Sequence, residues 1–180
     1  MTDTKSVTRT IRIPIEYDHV LREESDTRGR SITSLITRIL EKYVYFDRFY
    51  EDGQMMSVNP HEISSLLEFM DEEEVHKAGR LAGSKRARDN LLMRGMSLSF
   101  DSVKWFITDI MSNYSGWFTC NYYERDSMHV FHIRHRMSDK WSLFIESYFE
   151  SMVENVLDIE VDADYMDGTV TLRIPVSSRD

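Results

Sequence analysis

Between Ser6 and Pro14 the chain reads SVTRTIRIP, an alternating strand followed by about a hundred residues with no second strand for it to pair with. Val7, Arg9, Ile11 and Ile13 fall on one face, and Thr8, Thr10 and Arg12 on the other. Pro14 ends the strand, because it has no N–H for a ladder and suits the entry to a helix. A strand needs partners for its backbone groups. A segment of some 45 residues is also too small to bury a wide apolar surface by itself. The economical solution is the same strand of a second copy, paired antiparallel across a two-fold axis.

The residues after the strand fit that solution. Ile15 to Thr27 carries Tyr17, Val20 and Leu21 at helical spacing, and Gly29 stops it. Ser31 is a natural N-cap. Behind it, Ile32, Leu35, Ile36, Ile39, Leu40, Tyr43 and Val44 make one continuous apolar stripe, the strongest periodic signal in the chain. The stripe is expected to continue through Phe46, Phe49 and Tyr50.

RTIRIP, a helix, and then GRSITSLITRIL resemble the ribbon-helix-helix (MetJ/Arc-type) DNA-binding proteins over residues 6–51. The resemblance implies a paired ribbon in the major groove, with Thr8, Thr10 and Arg12 reading base edges. It places Arg30, Ser31, Ile32 and Thr33 at a phosphate, beside the free N–H groups and positive end of the second helix. Arg9 departs from the pattern, since the family usually has an apolar residue on that face.

Charge supports a division of labour. The chain of 180 residues carries a formal net charge of -9. Residues 1–50 hold nine Lys and Arg against eight Asp and Glu, or +1, which leaves -10 for the rest. Nucleic-acid contact therefore belongs near the N-terminus. A single cysteine, Cys120, excludes an intrachain disulfide framework, and no secretory leader or membrane-length apolar run is evident. The expected setting is cytoplasmic, with a prokaryotic nucleoid.

Residues 52–99 read as a helical connector. Asn59-Pro60 starts a helix with Ile63, Leu66, Leu67 and Met70 on its apolar face. Asp71 to Glu74 is a capping box for another. Ala78, Gly79, Ala82 and Gly83 have the small-residue spacing that permits close helix approach or loosens a helix end. The basic residues Lys85, Arg86 and Arg88 are candidates for contacts to flanking DNA, against the ordinary role of a solvated face.

From residue 100 to 180 the order becomes helix, strand (WFTCNYYE), turn, strand (MHVFHIRHRM), helix, strand (DIEVDAD), turn, strand (TVTLRIP). The αββαββ order suggests two copies of one unit, with Lys104-Trp105 and Lys140-Trp141 at matching places. An antiparallel sheet with helices on one face results, so the chain as a whole is α+β. Cys120, His129 and His135 are the metal-ligand candidates. On a strand His129 and His135 share a face while His132 opposes them, so three ligands do not converge, and no metal is expected. The dense aromatics supply core, with a surplus available to a small-molecule pocket anchored by Arg134, Arg136 or His135. Glu160, Asp162 and Asp164 share a parity that implies a solvated face.

No nucleophile with a base, glycine-rich phosphate loop or paired acid site is present, so no catalysis and no required cofactor are expected. The reading is a homodimeric transcriptional regulator that binds double-stranded operator DNA. Residues 1–51 would bind and dimerise, and residues 100–180 would sense an effector (a metal or a small molecule) or assemble dimers further. The alternative is an antitoxin-like interaction protein, whose N-terminal unit only dimerises and whose acidic domain grips a protein partner.

Overall fold

The computed structural model describes residues 6–50, 55–166 and 168–176, apart from the side chain of Lys85. The chain divides into two compact units, Met1–Tyr45 and Phe46–Asp180. It is an α+β protein with a four-stranded antiparallel sheet. No helix among the described residues is long and apolar enough to cross a membrane.

The first unit contains helices α1 (Ile15–Arg28) and α2 (Ile32–Tyr45). Residues 6–14 form neither helix nor ladder within the single chain. All four sheet strands lie in the second unit.

The second unit begins where α2 ends. The stripe does not extend the helix through Tyr50: Phe46 leaves helical geometry at φ -131° and gives way to a 3₁₀ turn, Asp47–Phe49. Phe46 is buried, with its ring 5.0 Å from Tyr50 and 6.4 Å from Tyr114. The Tyr50 hydroxyl donates to Asn90 Oδ1 at 2.6 Å, and the Arg94 guanidinium lies over the Phe49 and Tyr50 rings. Packing against these groups outweighs the local preference to continue the helix.

Helix α3 (Pro60–Glu68) starts at Asn59, whose side chain accepts from the His61 N–H. Helix α4 (Glu72–Met93) starts with the reciprocal Asp71–Glu74 capping box. Of the two alternatives for the small residues, the structure takes close approach. A Cβ on Gly79 would stand 2.6 Å from the Phe144 carbonyl oxygen, and one on Gly83 would overlap the Tyr148 carbonyl. Both carbonyls belong to α6 (Asp139–Leu157). Arg80 reinforces the pair by donating to Glu154 at 2.6 Å. The Lys140 ammonium donates to the carbonyls of Glu68 and Met70, which lie at the end of α3. The segment expected as a connector thus contributes Leu67, Val75, Ala87 and Leu91 to the core of the second unit.

Helix α5 (Phe100–Trp105) runs into a π-helical stretch, Phe106–Tyr114, that buries Phe106, Ile107, Ile110 and Met111. The wider coil closes where the Ser115 N–H and hydroxyl both donate to the Ile110 carbonyl. Strands β1 (Thr119–Arg125), β2 (Met128–Arg134), β3 (Asp162–Met166) and β4 (Thr169–Pro175) lie in the order β1-β2-β4-β3. β3 begins four residues later than the alternating DIEVDAD suggests. Asp158 caps α6 in the left-handed region at φ 56°, and the residues after it form the link to the strand.

The sheet is two hairpins related by a pseudo-two-fold. β2 and β4 begin at 128 and 169, and a shift of 41 positions superposes the β1–β2 register on the β3–β4 register. The axis passes between Phe131 and Leu172, which pair with each other and are each other's equivalents. His135 N–H donates to the Gly168 carbonyl at 2.9 Å, and its equivalent, Val176 N–H, donates to the Ser127 carbonyl at 3.0 Å. The ββ part of the repeat expected from the sequence is therefore present in the register of the sheet, while Lys104-Trp105 and Lys140-Trp141, 36 positions apart, do not correspond under that shift. One face is core, with Phe131, Ile133, Val170, Leu172 and Ile174 fully buried. The other carries Arg134, Asp162 and Asp164 in solvent, and Arg173 bridges the two aspartates at 3.0 and 2.9 Å.

Candidate nucleic-acid interface

The first unit is built from its turn outward. Pro14 caps α1, its carbonyl accepting from the Tyr17 and Asp18 N–H groups. Gly29 ends the helix in the left-handed region at φ 59° and ψ 36°, where a side chain would be strained. The Arg30 N–H donates to the Ser25 carbonyl at 3.0 Å, and the Ser25 hydroxyl donates to the Arg30 carbonyl. Ser31 then caps α2: its hydroxyl accepts from the Ser34 N–H at 3.1 Å and its carbonyl from Leu35 at 3.1 Å. The turn is thus pinned from both sides. The N–H groups of Ile32 and Thr33 precede the helical ladder at the positive end of α2.

Thr8, Thr10 and Arg12 are all exposed, as are Arg30, Ser31 and Thr33, while Ile32 is half-buried. Arg22 and Arg28 are paired one helical turn away with Asp18 and Glu24. Arg12 and Arg30 make no ion pair among the described residues. Their charges are therefore available to an anion. Arg9 donates to the neighbouring Thr8 carbonyl at 3.2 Å.

The apolar residues of this unit are mostly in solvent. Val7 is 75% exposed and Ile11 66%, while Ile39 and Leu40 on α2 are 59% and 58% exposed. α1 buries no residue and α2 buries only Leu35. The most amphipathic helix of the chain leaves most of its stripe in water.

Of the flanking candidates, Arg86 and Arg88 are exposed on α4 in the second unit, and the side chain of Lys85 lies outside the described residues. The metal-ligand candidates do not converge. Cys120 sits opposite Ile133 and His129 opposite Ile174 on the same core face, four residues apart along β2, or roughly 13 Å. Burial pushes the Cys120 thiol up to about 12, so it stays protonated. His135 does not share a strand face with His129, because β2 ends at Arg134. Its Nδ1 accepts from the Met137 N–H at 3.2 Å and its Nε2 lies 2.9 Å from the Ser142 hydroxyl. With Nδ1 an acceptor, Nε2 carries the hydrogen, and burial holds the ring below the usual histidine range. No group of three potential ligands occurs among the described residues.

The aromatics do not form a ligand pocket around Arg134, Arg136 and His135. Trp117, Trp141, Phe144 and Tyr148 pack on one another with centroids 5.0 to 6.3 Å apart. The cavity of about 600 Å³ that includes His135 is open and polar, with Glu68, Glu72, Asp139 and Lys140 in its wall.

What sequence reasoning missed is a chain of polar groups that runs from the exposed Glu124 through the half-buried Tyr122 to the buried His129. The Tyr122 hydroxyl donates to Glu124 at 2.6 Å and lies 2.8 Å from His129 Nδ1. His129 is buried and stacks on Phe100 at 3.7 Å. The signal was parity, since His129 alternates with Phe131 and Ile133 on the core face. No family model matches the chain, and no curated protein matches it significantly.

Proposed function

We propose that the chain is a homodimeric, sequence-specific DNA-binding regulator whose N-terminal unit is of the ribbon-helix-helix type. The observation that carries the reading is the uncovered apolar surface of that unit. Val7 and Ile11 on one face of the strand segment, with Ile39, Leu40 and Val44 on α2, are exposed in the single chain. Each such side chain gains about 1.5 to 3 kcal/mol when buried. A second copy supplies the missing partner for both strand and stripe. The order of a strand segment, a helix, a left-handed glycine turn and a serine-capped helix supports the family reading.

In the dimer the paired segments present Thr8, Thr10 and Arg12 to base edges in the major groove. Arg12 donates two hydrogen bonds to guanine, and the threonines offer hydroxyl and methyl contacts. The Arg30–Thr33 turn, held by Ser25 and Ser31, grips a phosphate through its N–H groups and the Arg30 charge. Arg86 and Arg88 add flanking contacts. The acidic second unit, with an interior already filled, serves as a sensor or assembly domain in a cytoplasmic regulator. Its role is binding, with no catalytic step.

The test is selection of bound sequences from random duplex DNA by the full-length protein, beside a Thr8/Thr10/Arg12 triple-alanine variant. The expected result is an inverted-repeat motif that the variant no longer enriches. Arg12→Ala alone is expected to cost about 1 to 3 kcal/mol on that motif and much less on random DNA. A protein that dimerises but enriches no motif would make the strand a dimerisation device only.

A further inference from the structure

The pseudo-two-fold makes each hairpin a control for the other, and the two edges of the sheet are finished differently. β1 and β3 are the outer strands, and the shift of 41 positions carries one onto the other. In an antiparallel sheet the N–H and C=O of one residue point to the same neighbouring strand, and successive residues alternate. The His135 N–H donates to the Gly168 carbonyl, on the β4 side, so the even-numbered residues of β2 bond to β1. Their partners are Thr119, Asn121, Tyr123 and Arg125. The N–H and C=O groups of Cys120, Tyr122 and Glu124 therefore face away from the sheet, and they make no further backbone hydrogen bond among the described residues. The Val176 N–H, which donates to the Ser127 carbonyl, sets the same alternation in β4, and β3 turns the groups of Ala163 and Tyr165 outward.

An open edge is a template for another strand, and proteins blunt it with charge, brevity, proline or a bulge. β3 is blunted: it is five residues long and carries Asp162 and Asp164. The equivalents of those aspartates in β1 are Asn121 and Tyr123, both exposed. β1 is seven residues long, runs in unbroken register with β2, has no proline, and carries no charge from Thr119 to Tyr123. The same fold thus guards one edge and leaves the other usable.

We infer that β1 pairs antiparallel with β1 of a second copy across a two-fold axis, joining two second units into one continuous sheet. This gives content to the assembly role proposed above for the second unit and rests on that part of the reading. The residues along the edge suit a twin. With Tyr122 on the axis, its outward groups bond to those of its own copy, and those of Glu124 bond to those of Cys120. Both charges of the strand, Glu124 and Arg125, lie at one end, so the antiparallel twin sets them against the neutral Cys120 and Thr119. On the solvent face Tyr123 stands opposite Asn121, at the closely spaced positions between bonded pairs. No like charges meet. A β3 twin in full overlap would instead set Asp164, at the middle of the strand, against its own copy.

Amide hydrogen exchange of the full-length protein, followed residue by residue across a concentration series, tests the inference alongside sedimentation. The amides of Cys120, Tyr122 and Glu124 are expected to be protected about tenfold or more in the associated protein and to lose that protection on dilution, while Ala163 and Tyr165 exchange freely throughout. Asn121→Asp with Tyr123→Asp copies the β3 edge onto β1 and sets like charges face to face in the twin, so association is expected to weaken about tenfold and the edge amides to open. Asn121→Lys with Tyr123→Lys is expected to do the same. An equimolar mixture of the two variants then recovers both association and protection, because opposite charges meet, a rescue that a merely structural defect would not show. Edge amides that exchange freely at every concentration would overturn the inference and leave the edge to a strand of another protein. A mixture no better associated than its components would overturn it too. Should a variant fail to fold, the native amides and their response to dilution still decide. A chain that enriches no DNA motif yet protects this edge loses the DNA-binding reading and keeps the assembly; the reverse result loses only the twin.

Discussion

The two units differ in how much of a core they build for themselves. The second packs a core of its own, although Leu66, Phe69, Leu81 and Met166 stay exposed: one sheet face is covered, α4 and α6 meet backbone to backbone, and the starts of α3 and α4 are capped by named side chains. In the first, α1 buries nothing, and Ile39 and Leu40 on α2 are more than half exposed. Both are made of well-formed helices, so local propensity does not separate them. The difference lies in how much of each unit's apolar surface finds its partner within the same chain. A helix stripe is a demand for a partner, and only tertiary structure says whether the chain supplies it.

The sharpest way to break the second unit is at the close approach of α4 to α6. Gly83→Ala puts a methyl group into the Tyr148 carbonyl, and the far side of that contact is helix backbone, which cannot rotate away. The helices must part, at a cost of about 3 kcal/mol. Urea unfolding read by tryptophan fluorescence measures it, because Trp105, Trp117 and Trp141 all lie in this unit. An unchanged midpoint would mean that α4 does not sit on α6 as described.

The other side of the comparison is tested by Leu40→Asp. Within the single chain Leu40 has little to lose, because it is exposed. In the proposed dimer it is core, and the substitution is expected to cost about 2 kcal/mol of association while leaving the second unit intact. Sedimentation across a concentration series separates the cases. A variant that associates as well as the native chain would remove the stripe from the interface.

Much of this contrast was legible in the residues. The caps at Asn59, Asp71 and Ser31, the stop at Gly29 and the αββαββ order come from short-range chemistry, which the sequence writes locally. Two features were only half legible. The spacing of Gly79 and Gly83 marks a close approach but does not say which helix approaches, since α6 lies some sixty residues on. DIEVDAD alternates well, yet β3 begins only at Asp162, because the register comes from pairing with β4. Packing at Phe46 ended α2 before the pattern did. In the candidate interface Thr8, Thr10 and Arg12 are exposed, but so are Val7, Arg9, Ile11 and Ile13 on the other parity, so the alternation has its expression only in a ribbon that needs a second copy. The Glu124–Tyr122–His129 chain was hidden because alternation cannot distinguish a histidine placed in a core from one that merely falls on that face.

The smallest effect separates the units by pH. Glu146 on α6 is half-buried, and burial, with Glu150 and Asp164 nearby, pushes its carboxyl up to about 7. Its folded form holds the proton more tightly than the unfolded chain, whose carboxyl titrates near 4.3. Between those two values the folded state binds more protons, so stability falls as pH rises from about 5 through 7. The loss belongs to the second unit alone. After allowance for solvent screening it amounts to less than about 1 kcal/mol. Glu146→Gln keeps the shape, has no charge to bury, and is expected to flatten that part of the slope and raise the midpoint at pH 8. The measurement is thermal unfolding of the native and variant proteins at pH 5.5 and pH 8. Equal slopes would show that Glu146 is solvated well enough to ionise freely.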